Sequence, residues 1–455
     1  MIDDLIDILT TSKVSASESE LYRHSKDESP HSPVEPNVVC FPETKEDVQK
    51  ILHYAKDNRI PITPFGAGSN LEGQIIPIAK GISMNTERMN QILDFSPEDM
   101  TVTVQPGLTR KQLNETINRQ GLQFPIDPGA DASIGGMAAT NASGTTAVRY
   151  GSMLEQILDL EVIFTDGTII HTGSKAKKSS SGYHLTGLFT GSEGTLGIIT
   201  EITLKLHGIP EHEIAARCTF KDLDQCAEAA YHVLLNDIPI KRMELVDAAS
   251  IKQVNAFGDY HFPVEHSLFF EFAGSKNTAN TEAETTRKLM YDLDCDNWEV
   301  AKTEQDKNEL WKARHEVSPS FRHQKGKNLL GTDVCVPISK LPSMVSFARK
   351  ILSESRLQGG ILGHVGDGNF HTLILYDDQS NEEFQAVNNI NEQLVYKALE
   401  VGGTCTGEHG VGIGKRKYQS AEHGNAFSIM KNIKSLLDPE HILNPGKIFT
   451  DEVIR

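Results

Sequence analysis

Residues 64–73 read PFGAGSNLEG, directly after the apolar residues Ile60 and Ile62. The stretch joins a strand signal at Ile62–Pro64 to a glycine-rich loop. Upstream, Thr44–Asn58 carries Val48, Ile51, Leu52 and Ala55 at helical spacing, which predicts a helix. Before it, Val38–Phe41 reads as a short strand. Strand, helix, strand and glycine loop together make a βαβ-like opening. Strand text resumes at Gly81–Met84 and at Met100–Val104, and a helix is expected over 109–121, closed by Gly121.

Two more glycine clusters follow, PIDPGADASIGGMAATNASGTTAVRYG at 125–151 and TGSEGTLGIITEITLKL at 190–206. One such loop is more often a turn than a nucleotide site. Three in one region, interleaved with Ser69, Asn70, Asn141, Ser143 and Thr146, argue for more. Small residues expose backbone N–H groups, and that suits a diphosphate held mainly by main chain. No G-x-G-x-x-G and no P-loop lysine is present, which disfavours a plain dinucleotide fold. Between the clusters, Asp166-Gly167 separates Ile157–Thr165 from Thr168–Thr172 and predicts a hairpin.

The chain has 455 residues, enough for two or three domains. Its formal net charge of −18, with no basic tract, argues against a nucleic-acid partner. The six cysteines are scattered without C-x-x-C spacing, which argues against iron–sulfur and zinc–thiolate sites and against a disulfide framework. The first residues, MIDDLIDILTTSKVS, are acidic and do not read as a signal peptide. No apolar run approaches ~20 residues, so no transmembrane segment is expected. A cytoplasmic location follows, with any attachment to the inner face of the membrane made through a partner.

After about residue 208 the pattern changes. Strands at 215–220 and 267–272 alternate with helices at 222–236 and 278–293, and another helix covers 341–356. The expected division is an N-terminal helix and linker (1–36), a first domain (37–208), a larger α+β domain (209–410) and a C-terminal segment (411–455) that returns to the first.

The stretch GHVGDGNFH at 363–371 reads as a hairpin with the turn Gly366–Asn369. That turn would pair Val365 with Phe370 and His364 with His371. Directly opposed residues have Cβ atoms ~4.5–5.5 Å apart, so both imidazoles could reach one ion. A stacked surface pair or a hydrogen-bonded core pair fits this fragment equally well. In TGEHGVG at 406–412, Glu408 could supply an anionic third ligand, with His409 pointing elsewhere. Arg314, in ELWKARHE, could hold a carboxylate in bidentate fashion, although an exposed helix arginine reads the same way.

PFGAGSNLEG, PIDPGADASIGGMAATNASG, Tyr150-Gly151 and GSEGTLGIIT resemble the FAD-binding domain of the vanillyl-alcohol oxidase/p-cresol methylhydroxylase superfamily. Their order and spacing resemble the branch holding D-lactate dehydrogenase, the glycolate oxidase flavoprotein subunit and D-2-hydroxyglutarate dehydrogenase. The resemblance runs from about Val38 to Phe449. It implies an α+β fold: a p-cresol-methylhydroxylase-type FAD-binding domain, a ferredoxin-like cap domain for the substrate, and a C-terminal return to the flavin. It implies that Pro64, Gly66, Ala67, Gly68, Ser69, Asn70 and Leu71 wrap the FAD pyrophosphate. Pro128, Gly129, Gly135, Gly136, Asn141, Gly144, Tyr150 and Gly151 complete the cradle, Ile199 lies near the adenine, and Asn444 returns to the flavin. No histidine stands in the first loop, so FAD should be non-covalent.

The same resemblance implies that His364, His371 and Glu408 bind a divalent metal, zinc or manganese. It makes His409 the base and Arg314 the substrate anchor. Members that take a second carboxylate carry an added basic residue before the strand matching DVCVP. Here Leu329-Leu330-Gly331-Thr332 offers none, although Lys325 and Lys327 lie nearby. A small D-2-hydroxy monocarboxylate is expected, D-lactate ahead of glycolate. The alternatives are a D-2-hydroxyglutarate-type dehydrogenase, a superfamily oxidoreductase acting on an alcohol, sugar or ether lipid, and a non-catalytic flavin-binding subunit. Electrons would leave to a quinone or an electron-transfer partner protein, and a homodimer is one possible assembly.

Overall fold

The computed structural model describes residues 1–450. They divide into two units. The first comprises Met1–Gly144, Tyr150–Ile209 and the chain from Glu408 onward, and the second Thr145–Arg149 and Pro210–Gly407.

In the first unit, Val38–Cys40 and Ile62–Phe65 both pair in parallel with Ile82–Asn85. The crossover between the two outer strands is the helix Lys45–Asn58, capped by Thr44, whose hydroxyl accepts the Asp47 N–H. Val48, Ile51 and Leu52 are fully buried, as their spacing requires, each contributing about 1.5–3 kcal/mol. Arg59 ends the helix in the left-handed region. A second, antiparallel sheet runs in the order Ile92–Ser96, Thr101–Val104, Ile198–Lys205, Ile157–Ile163, Ile169–His171. Its last two strands form the expected hairpin, with Gly167 at φ 79°. Between this sheet and the helices Arg110–Ile117 and Ile134–Thr140 lies a core that includes Val104, Leu113, Ile134, Met137, Leu160 and Ile202. The C-terminal segment returns to the first sheet: Ile62 N–H donates to Ile442 O (2.7 Å) and Asn444 N–H to Ile62 O (2.7 Å).

In the second unit, four strands run in the order Asn297–Val300, His212–Phe220, His266–Gly274, Arg242–Val246. Taken in chain order, that is fourth, first, third, second. The helices Leu223–Leu235 and Lys276–Asp292 follow the first and third strands. This is a ferredoxin-like arrangement, consistent with the expected α+β class. The sheet then continues through Gly359–Gly363, Asn369–Tyr376 and Asn328–Gly331, all antiparallel. One face is covered by the helix Glu304–His315, whose Leu310 and Trp311 pack with Val246, Phe269, Leu362 and Leu373. All six cysteines are free. Among the described residues no helix is long and apolar enough to cross a membrane.

Candidate functional site

The three glycine clusters of the first unit interlock. A Cβ on Gly66 would lie 2.6 Å from Ser133 Oγ, and one on Gly194 would lie 2.6 Å from Pro64 Cγ. Glu193 N–H donates to Ala139 O (2.8 Å) and Gly191 N–H to Ala138 O (2.9 Å). Gly135 sits against Pro106, where a Cβ would come within 2.4 Å, and Gly144 against Asp127 O, within 2.3 Å. Gly68 and Gly151 have positive φ, which glycine adopts without strain. A Cβ on Gly129 would meet nothing within 4 Å. Backbone thus approaches backbone across the three loops, and open space remains beside Gly129. These residues fit a dinucleotide cradled by main chain.

Two residues expected at the cofactor spend their side chains on the scaffold. Asn141 Oδ1 accepts the Leu154 N–H (2.9 Å) and the Ser152 hydroxyl (2.9 Å). Asn444 Nδ2 donates to Glu193 O (2.7 Å) and Gln74 O (3.1 Å). Ile199 lies on a central strand opposite Val162. Tyr150 packs edge-on against His207.

The chain just after Glu408 is clamped within the same unit. Gln74 Nε2 donates to His409 O (2.7 Å), while the buried Glu193 accepts the N–H groups of Val411 (2.6 Å) and Gly412 (2.9 Å). Burial pushes the Glu193 carboxyl up despite those bonds. Ser143 Oγ donates to Glu408 Oε2 (3.2 Å).

In the second unit, the register of the histidine hairpin differs from expectation. His371 stands opposite Leu362, not His364, and His364 lies in the loop just past Gly363. The start of the second strand is drawn to another partner: Phe370 pairs with Val334 and Asn369 with Cys335. Asn369 Nδ2 donates to Asp333 Oδ1 (2.7 Å) and Val334 O (2.9 Å). The shift is by two positions, so both histidines stay on one face. Their rings remain close, with centroids 5.6 Å apart and planes at 85°.

Each imidazole has its Nδ1 engaged. His364 Nδ1 lies 2.7 Å from Glu244 Oε1, and His371 Nδ1 lies 3.1 Å from Thr332 O. A carbonyl or carboxylate partner fixes the proton on Nδ1 and leaves the Nε2 lone pair for a ligand. Two such histidines fit a divalent cation. Arg314, in the last turn of Glu304–His315, donates through Nε to Glu244 Oε2 at 2.6 Å. Glu244 is fully buried. Burial would raise its carboxyl, but the neighbouring His364 and Arg314 outweigh that and hold it below the ordinary glutamate range. Asp333, also fully buried, accepts the Thr406 hydroxyl (2.7 Å) and the Gly407 N–H (2.8 Å) on Oδ2. It therefore anchors the residue immediately before Glu408. Glu244, Asp333, Gln74 and Glu193 were not singled out from sequence. The visible hint was a glutamate among the apolar Met243, Leu245 and Val246 of the strand Arg242–Val246.

Comparison with known families gives two matches. Residues 36–173 match the model described as FAD binding domain, and residues 209–448 the one described as FAD linked oxidases, C-terminal domain. The chain belongs to the FAD-linked oxidases. It is 43% identical over 431 residues to the probable mitochondrial D-lactate dehydrogenase of Danio rerio, covering 94% of this chain and 87% of that one. It is 39% identical to the mitochondrial D-lactate dehydrogenase [cytochrome] of Arabidopsis thaliana, covering 95% and 77%. Both relatives are mitochondrial by name, so the cytoplasmic expectation gains no support from them. The solved structure of p-cresol methylhydroxylase with substrate bound aligns with a TM-score of 0.80 at 17% identity, covering 98% of this chain and 96% of that one. This last likeness concerns the fold alone. This FAD-linked oxidase thus carries the expected FAD-binding domain.

Proposed function

We propose that this FAD-linked oxidase dehydrogenates D-lactate to pyruvate. FAD, when bound, supplies the acceptor for the Cα hydride. Arg314 binds the substrate carboxylate: with Nε held by Glu244, its two Nη groups present a fork to a carboxylate. His409 takes the proton of the 2-hydroxyl, so one hydride and one proton leave together. His364, His371 and Glu408 would hold a zinc or manganese ion, whose charge would polarise that hydroxyl. Glu408 follows directly on Gly407, whose main chain Asp333 anchors.

The observation that carries this reading is the pair of imidazoles with Nδ1 engaged, one of them sharing Glu244 with Arg314. The names of the relatives support the D-lactate assignment. The chain just before Asp333 supports a monocarboxylate: Leu329, Leu330 and Gly331 supply no base, and Lys327 pairs with Glu383 at 3.4 Å. One relative's name points to a cytochrome as the electron acceptor, and we assign this chain a separate electron carrier of that kind.

Anaerobic flavin bleaching tests the proposal. D-lactate, L-lactate, glycolate and D-2-hydroxyglutarate are mixed in turn with purified protein. D-lactate should bleach fastest, and chelation should slow it. Bleaching by none of the four overturns the hydroxy-acid reading. Preference for glycolate or D-2-hydroxyglutarate overturns the substrate assignment.

A further inference from the structure

Glu244 sits in the strand Arg242–Val246, where Leu245 pairs with Gly363 and Val246 with Leu362. Continuing that register brings Glu244 opposite residue 364. The same face of the strand is covered by the helix bearing Arg314. One buried carboxylate therefore has two unlike partners, a histidine on Oε1 and an arginine on Oε2.

We infer that Glu244 is the positioning residue shared by the cation site and the substrate-carboxylate site, setting the tautomer of His364 and the aim of Arg314 at once. This rests on the reading of those sites given above. Three physical points carry it. A carboxylate on Nδ1 keeps the proton there and makes Nε2 a more basic ligand. His371 Nδ1 instead meets Thr332 O at 3.1 Å, with the Asp333 carboxylate farther off at 3.6 Å, so the two histidines are held differently. With Nε taken, the guanidinium presents a single edge to a ligand, which selects a bidentate carboxylate geometry. Finally, a cation and an arginine placed close together in a buried site repel each other, and a buried carboxylate between them offsets that repulsion.

Glutamine cannot replace this group. Both partners of Glu244 donate hydrogen bonds, whereas an amide can accept on one side only. Turned one way, its NH2 faces Arg314 Nε–H. Turned the other, it faces His364 Nδ1, and the ring can accept that bond only by moving its proton to Nε2, the nitrogen a cation needs.

The test uses FAD-loaded full-length protein stripped of metal. Zn2+ and Mn2+ dissociation constants are measured by titration calorimetry for wild type, Glu244→Gln and Glu244→Asp. FAD content and melting temperature report folding. Glu244→Gln should weaken cation binding by about 10–100-fold. At saturating metal it should raise KM for D-lactate by a larger factor than it lowers kcat. Glu244→Asp keeps the charge with a shorter reach and should fall between the two. Wild type binding a cation, with both variants within threefold of it and KM unchanged, overturns the inference. Loss of FAD and fold in both variants also counts against it, because a purely structural ion pair then suffices. Failure of wild type to bind either cation instead overturns the metal reading on which it stands.

Discussion

Asp333→Asn should loosen the turn that leads into Glu408. Asp333 Oδ1 receives Asn369 Nδ2, and Oδ2 receives the Thr406 hydroxyl and the Gly407 N–H, at 2.7–2.8 Å. An asparagine can keep only one of those two sides. In its better orientation it retains Thr406 and Gly407 and sets NH2 against NH2 at Asn369. Asn369 cannot simply flip, because the same Nδ2 also donates to Val334 O. The loss is one charge-assisted bond plus the charge behind two others. Such bonds are each worth ~1.5–3 kcal/mol, so about 2–3 kcal/mol of local stability should go. At about tenfold per 1.4 kcal/mol, opening of the turn becomes roughly 30- to 150-fold more frequent. Hydrogen–deuterium exchange on a peptide spanning 404–408 reads this directly, against a peptide from the strand His266–Gly274 as internal control. Exchange within threefold of wild type in the 404–408 peptide would show that Asp333 does not hold the turn. Equal acceleration in the control peptide would show a global effect instead.

Three further outcomes follow from other sites. Lys434, buried, donates to Thr195 O, Leu443 O and Asp438 Oδ2, so Lys434→Met should destabilise the fold by about 3–5 kcal/mol, with Lys434→Met/Asp438→Asn recovering more than half of that in urea titrations. Burial lowers the His266 pKa to about 4 from 6.5, and Nδ1 accepts the Ala248 N–H, a bond that protonation removes. The folded state therefore holds this imidazole neutral; its contribution is intact above pH 6.5 and is lost as pH falls toward 4, by up to about 3 kcal/mol, and His266→Gln should flatten that part of the stability–pH curve. Gly144→Ala would bring a Cβ to 2.3 Å from Asp127 O, and the forced backbone shift should cost about 1–3 kcal/mol and lower the FAD retained through gel filtration. Unchanged FAD retention would refute the last of these.

Local signals in the sequence carried most of the secondary structure. Thr44, Thr109, Asp222 and Ser275 begin helices as caps, and Gly121 and Gly167 take the positive φ their turns require. These features depend on neighbours within a few residues, so they can be read along the chain. The hairpin register could not. Counting the turn Gly366–Asn369 paired His364 with His371, but Val334 and Asp333, more than thirty residues upstream, claim Phe370 and Asn369 and displace the pairing by two. A displacement by one would have sent His371 to the opposite face, away from His364. Because strand side chains alternate, an even shift keeps the chemistry and changes only the route by which it is assembled.

The same contrast explains why Glu244 escaped notice. Its partners lie 70 and 120 residues away in the chain, and neither carries a spacing that points back to it. What the sequence did hold was a contradiction: a glutamate within Met243–Val246, a run whose other members are all apolar. A buried carboxylate costs several kcal/mol unless it is paired, so such a residue implies cationic or hydrogen-bonding partners on the same face. Arg314 and His364 were already candidates for separate reasons. One buried acid can satisfy both, because the arginine and the histidine each need an acceptor and the strand supplies one carboxylate with two oxygens. A buried, paired charge in a β-rich domain is thus marked by the position that breaks the apolar run, here Glu244, even where no motif points to it.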